Sequence, residues 1–109
     1  MNRGDLVTVA ARGSYSGKPR PALIVQSDHF AELASVTVCL LSSERIDAPL
    51  VRLDLHPNGD NGLAQPSQVM IDKLVTVPRQ AIGQRLGTLD RDELVRVDRA
   101  LALFLGIAP

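Results

Sequence analysis

The apolar and polar positions of this chain change period several times, and each change marks an element. Leu6-Val7-Thr8-Val9-Ala10 is a first β-prone run. Ala11 to Pro19 are polar and small, with Gly13, Ser14, Tyr15, Ser16 and Gly17 at the centre, which predicts a flap or a plain hairpin loop. Apolar character returns over Pro21–Gln26, a second strand, and again over Ser35–Leu41, a third. The third is nearly continuously apolar, which predicts a central strand. Between them, Ser27-Asp28 supply a cap for a short helical turn through His29–Leu33.

Leu50–Leu55 alternate apolar and polar, the mark of a strand with one wet face. Pro57-Asn58-Gly59-Asp60-Asn61-Gly62 predicts a tight turn, with Asn58-Gly59 favouring positive φ. Gln68–Val77 form a long strand interrupted by Asp72-Lys73. Pro78–Ile82 predict a turn of helix, and Arg85-Leu86-Gly87 a last short strand. The C-terminal helix has the strongest signal. Asp90 and Glu93 have capping-box spacing, Leu89 and Leu94 occupy staple positions, and Gly106 stops the helix. Leu94, Val97, Leu101, Phe104 and Leu105 make its apolar stripe, while Val95, Ala102 and Leu103 lie outside it.

Few residues separate the strands, so βαβ crossovers are excluded. The expected fold is mainly β: five to seven antiparallel strands curled into a small open barrel, with one C-terminal helix. A length of 109 residues fits one domain spanning 1–109. A domain this small buries a modest core and gains from a partner subunit.

Charge changes the picture only locally, because 12 basic and 12 acidic side chains cancel. Residues 1–20 carry a local +3, residues 28–60 a local −4 and residues 61–89 a local +2. This argues against strong, unspecific nucleic-acid binding and leaves room for a confined basic groove. The single cysteine, Cys39, excludes an internal disulfide and reads as a core thiol. His29 and His56 are far apart and give no metal-site pattern. No apolar run approaches the ~20 residues that a membrane helix needs, and no signal peptide precedes Asp5, so a soluble cytoplasmic protein is expected.

Candidate chemistry gathers at three positions. Arg20 is confined between Pro19 and Pro21 at the mouth of the second strand, where a guanidinium can meet a phosphate. The plain alternative is a solvated loop charge. Ser42 ends the third strand. Asp72 interrupts an apolar strand, either as a functional carboxylate or in an ion pair with Arg20 or Lys73.

Arg3-Gly4-Asp5, Gly13-Ser14 followed by Arg20-Pro21-Ala22, Leu41-Ser42-Ser43, Gly62-Leu63 and Val69–Lys73 together resemble the MazF/PemK toxins, in order and over the whole chain. That resemblance implies a homodimeric CcdB/PemK-like barrel of the Src-homology-3 type. It implies metal-independent, cofactor-free endoribonuclease action on single-stranded RNA and neutralisation by a cognate antitoxin. It also implies catalytic roles for Arg20, Ser42 and Asp72, and RNA binding by Arg12, Ser14, Tyr15, Lys18, Ser43, Gln68 and Lys73. The chain departs from the family pattern at Tyr15, Lys73 and Val75, and Ser42 keeps the family hydroxyl without a methyl. A non-enzymatic gyrase poison of the related CcdB type is the alternative; the chain has no Trp to serve that role. An inactive barrel that only binds a partner is a further alternative.

Overall fold

The computed structural model describes residues 1–10 and 18–108. Its strands are β1 (Asp5–Val9), β2 (Arg20–Ile24), β3 (Ser35–Ser42), β4 (Arg52–Leu55), β5 (Ser67–Pro78) and β6 (Ile82–Thr88), followed by helix α1 (Arg91–Phe104). Single 3-10 turns occupy Asp28–Phe30 and Arg79–Ala81. The strand pairings among the described residues are antiparallel, in one sheet ordered β4-β5-β3-β2-β1-β6, with β3 in the interior as its apolar run predicts.

Successive side chains point to opposite faces of a strand, and here both faces are apolar. Leu6, Leu23, Cys39, Leu41, Val69 and Ile71 form one core, closed by Leu89, Val97 and Leu101. Val7, Val9, Ala22, Ile24, Val36 and Val38 form a second on the other face. Burying a side chain the size of Val97 or Leu101 contributes roughly 1.5–3 kcal/mol, enough to fix α1 against the first core.

β5 serves both cores by means of an irregularity. Cys39 pairs with Leu74 and Leu41 with Val69, so β5 carries extra residues opposite one short step of β3. Val69 and Ile71 enter the first core, whereas Val75 and Val77 pack against the second. Asp72-Lys73 sit where the strand changes face. The Ile71 amide, donating to the Val51 carbonyl at 2.8 Å, anchors the irregularity.

The N-cap of α1 forms as predicted: Asp90 accepts from the Glu93 amide at 2.8 Å and Glu93 accepts from the Asp90 amide at 3.0 Å. Other expectations shift. Phe104 and Leu105 are 46% and 51% exposed, so the buried stripe of α1 is Val97 and Leu101. Leu50 lies in a turn, because the Val51 and Arg52 amides both return to the Ala48 carbonyl, and β4 begins only at Arg52. β6 is longer than the Arg85–Gly87 that its composition suggests. Positive φ falls on Gly62 and not on Gly59. Asn58 accepts both the Asp60 and Asn61 amides through Oδ1, which turns the chain without a left-handed residue there.

Candidate active site

The site lies where β2 and β3 part. Ala22 and Leu40 are the last pair of that ladder; beyond it Arg20 opens β2 and Ser42 ends β3. Both line a cleft of about 470 Å³. Ser42 pairs in turn with Gln68 on β5, and Gln68 with Asp54 on β4. A row of polar residues, Ser42, Gln68 and Asp54, thus crosses β3, β5 and β4.

Local chemistry sets each position. Pro19 and Pro21 restrict the backbone on either side of Arg20 and line the cleft with it. The Ser42 hydroxyl oxygen accepts the Glu44 amide at 3.1 Å, which leaves the hydroxyl proton to donate elsewhere. The same turn brings Ser43 and Glu44 to the cleft. The opposite wall is Gly62-Leu63-Ala64-Gln65 with Leu86. Asn61, fully buried, builds that wall: its side chain donates to the His56 carbonyl at 2.8 Å and accepts the Asn58 and Leu63 amides. Gly62 has φ +68°, and a Cβ there would collide with the Leu86 carbonyl.

Residues 2–105 match the family described as PemK-like, MazF-like toxin of type II toxin–antitoxin systems. The chain belongs to this family. It is 52% identical over 108 residues, 99% of both chains, to a protein named "Probable endoribonuclease MazF" from Mycolicibacterium smegmatis. Solved structures share the toxin's fold at lower identity. An endoribonuclease bound to its cognate antitoxin from a mycobacterial species superposes with TM-score 0.80 at 22% identity, covering 100% of this chain and 98% of that one. A MazE–MazF complex from Deinococcus radiodurans gives TM-score 0.81 at 21% identity, covering 99% and 98%.

Only some of the positions singled out in the toxin's sequence reach the cleft. Arg20, Ser42 and Ser43 come together in the cleft. Lys18 is exposed just before it. Arg12, Ser14 and Tyr15 lie outside the described residues. Gln68 is only 4% exposed and its amide is fully engaged within the protein, so it presents no free group to RNA. Lys73 is exposed on β5, away from the cleft lining.

Asp72 does not line the cleft with Arg20 and Ser42, and its ion pair is with Arg52 and not with Arg20 or Lys73, although the Lys73 charge also acts on it. It binds Arg52 through two parallel bonds, Nε to Oδ1 at 2.9 Å and Nη2 to Oδ2 at 3.0 Å. Arg52 stands opposite Met70, one diagonal step from Asp72. The Arg52 hydrogen bonds hold the Asp72 carboxyl below the usual range despite partial burial, which makes it a weaker base. Glu44, Asn61 and the Leu63–Gln65 wall escaped the sequence reading. The Asn58–Gly62 turn signal marked the wall's origin but not the surface it faces.

Burial pushes the Cys39 thiol up to about 12, so it is an inert core group. Arg3 is likewise structural: it donates to the Val25 carbonyl at 2.8 Å and pairs with Asp98 of α1 at 2.6 Å.

Proposed function

We propose that this MazF-like toxin is an endoribonuclease that cuts single-stranded RNA in the cleft between β2 and β3. The observation that supports the reading is one cleft lined by both Arg20 and Ser42 in a chain 52% identical to a protein of that named activity.

The residue types suit internal transesterification. The RNA 2′-oxygen attacks the adjacent phosphorus, the bond from phosphorus to the 5′-oxygen breaks, and the products are a 2′,3′-cyclic phosphate and a 5′-hydroxyl. The nucleophile is the substrate's own hydroxyl, so the residues need only move protons and stabilise charge. Arg20 forks onto the phosphorane oxygens. The Ser42 hydroxyl, its lone pair already engaged by Glu44, donates to a phosphorane oxygen. Glu44 is the one carboxylate among the described residues of the lining and takes the 2′ proton. Water entering the open cleft protonates the leaving oxygen. Asp72, held by Arg52, stays outside the reaction.

Two partners complete the reading. The first is a second copy of the chain: Leu103, Phe104, Leu105 and Ile107 are 44–76% exposed at the end of α1, an apolar surface suited to a subunit contact. The second is a cognate antitoxin whose acidic segment covers the basic surface at Lys18 and Arg20, in competition with RNA. Action on cellular RNA sets the working compartment as the cytoplasm and the outcome as growth arrest.

Single-turnover cleavage by Arg20→Ala, Ser42→Ala and Glu44→Gln proteins tests the assignment. Each loss of a charge-stabilising donor should cost ~10²–10³-fold. Wild-type rates in Arg20→Ala and Ser42→Ala would refute the site and place the cutting elsewhere in the protein or in a contaminant.

A further inference from the structure

Gln68 has a buried side chain with three hydrogen bonds, two of them to the backbone of Ile46. The Ile46 amide donates to Oε1 at 3.1 Å, and Nε2 donates to the Ile46 carbonyl at 3.0 Å. This is the two-bond exchange of a β-ladder rung, made by a side-chain amide in place of a backbone. The second Nε2 hydrogen goes to Asp54 Oδ1 at 3.0 Å, which fixes which end of the amide faces which group. Ile46 otherwise belongs to an irregular segment, with its own side chain 48% exposed. That segment begins at Ser42 and carries Glu44, whose amide binds the Ser42 hydroxyl.

We propose that Gln68, oriented by Asp54, is a positioning residue: it pins Ile46 and thereby holds Ser42 and Glu44 in reacting geometry. The inference deepens the ribonuclease reading and rests on it. Gln68 stands directly beside Ser42 in the sheet register, so strand pairing fixes the start of the segment and the amide rung fixes it again at Ile46. Between the two anchors, Ser43 and Glu44 line the cleft. Releasing the second anchor frees Glu44 and, through its amide, the orientation of the Ser42 proton. An error of about 1 Å in such groups costs on the order of 10²-fold in rate.

The test combines two readouts on the full chain. Single-turnover cleavage and binding of the same single-stranded RNA are measured for Gln68→Met, Gln68→Glu, Asp54→Ala and Asp54→Asn. Hydrogen exchange reports the Ile46 amide in each folded protein. Gln68→Met keeps the volume and loses the whole rung; Gln68→Glu keeps the acceptor for the Ile46 amide and loses both donors. Both should cut about 10²-fold more slowly at saturating RNA with RNA affinity unchanged, and Gln68→Met should expose the Ile46 amide to exchange. Asp54→Ala should lose roughly tenfold, the value of one hydrogen bond. Asp54→Asn, which retains an acceptor oxygen, should recover the wild-type rate. A purely structural role would lower Tm without this split between rate and affinity. Wild-type rates in folded Gln68→Met and Gln68→Glu, or weakened RNA binding as the sole effect, would overturn the positioning role alone. A wild type that cuts no RNA, with Ile46 protected through Gln68, would instead overturn the ribonuclease reading and with it the catalytic purpose of the rung.

Discussion

Arg20 illustrates how far a single residue could be read. Two flanking prolines and a following apolar run marked it as a held cation, and it does open β2 at the cleft. Arg20→Lys should recover little of the activity lost in Arg20→Ala, because an ammonium cannot fork onto two oxygens; cleavage assays on the two proteins check this. Asp72 shows where residue-level reading stops. Its oddity in an apolar strand was visible, but its ion pair is made with Arg52 and not with Arg20 or Lys73, because Arg52 reaches it across a strand pairing that linear spacing does not encode, and Lys73 acts on it only through its charge. Asp72→Asn should therefore leave cleavage close to wild type and cost about 0.2–1 kcal/mol of stability, the range of partly exposed ion pairs. A large loss of cleavage with an intact fold would return Asp72 to the reaction.

At the scale of elements, patterns that depend on the chain alone were legible and those that depend on contact were not. The capping box of α1 is local and formed as spaced. The limits of β4 and β6 were set by turns and by glycine approaches between distant segments. Gly87 looks like a weak strand residue until Asp60 and Asn61 are seen packed against it, where a Cβ would collide. Phe104 and Leu105 fit the apolar period of α1 but remain about half exposed. Two left-handed glycines offer a matched test. Gly106 has φ +75° and open space around it, so Gly106→Ala should cost only the ~1–2 kcal/mol of left-handed strain. Gly62→Ala adds a clash with the Leu86 carbonyl and should cost more, and it should distort the cleft wall. Urea unfolding of both proteins, with cleavage assays alongside, compares them; equal losses would mean that the wall is not held by that close approach.

The whole molecule combines a two-sided core with carboxylates that are held ionised. Arg52 hydrogen bonds depress the Asp72 carboxyl. Burial opposes ionisation of Asp5, but the Asn2 amide and Arg85 outweigh it and the net shift is also downward. Both folded carboxyls thus titrate below their unfolded counterparts, so the unfolded chain takes up protons first. Their contribution is complete above the ordinary Asp value of about 3.9 and is lost as pH falls through the folded values. Tm should decline on acidification through that range, and less steeply in Asp72→Asn. Zero formal charge and the exposed apolar end of α1 are consistent with a subunit partner; light scattering at micromolar concentration should give twice 11.7 kDa and not a persistent monomer. The central claim, that the Arg20–Ser42 cleft cuts RNA through the substrate's own 2′-hydroxyl, is most directly tested by mapping RNA ends. Natural RNA is treated with wild-type or Arg20→Ala protein in EDTA, and 5′-hydroxyl ends are captured and sequenced. The account predicts discrete 5′-hydroxyl ends from the wild type and none above background from Arg20→Ala. Ends bearing 5′-phosphate, or the same ends from both proteins, would contradict it.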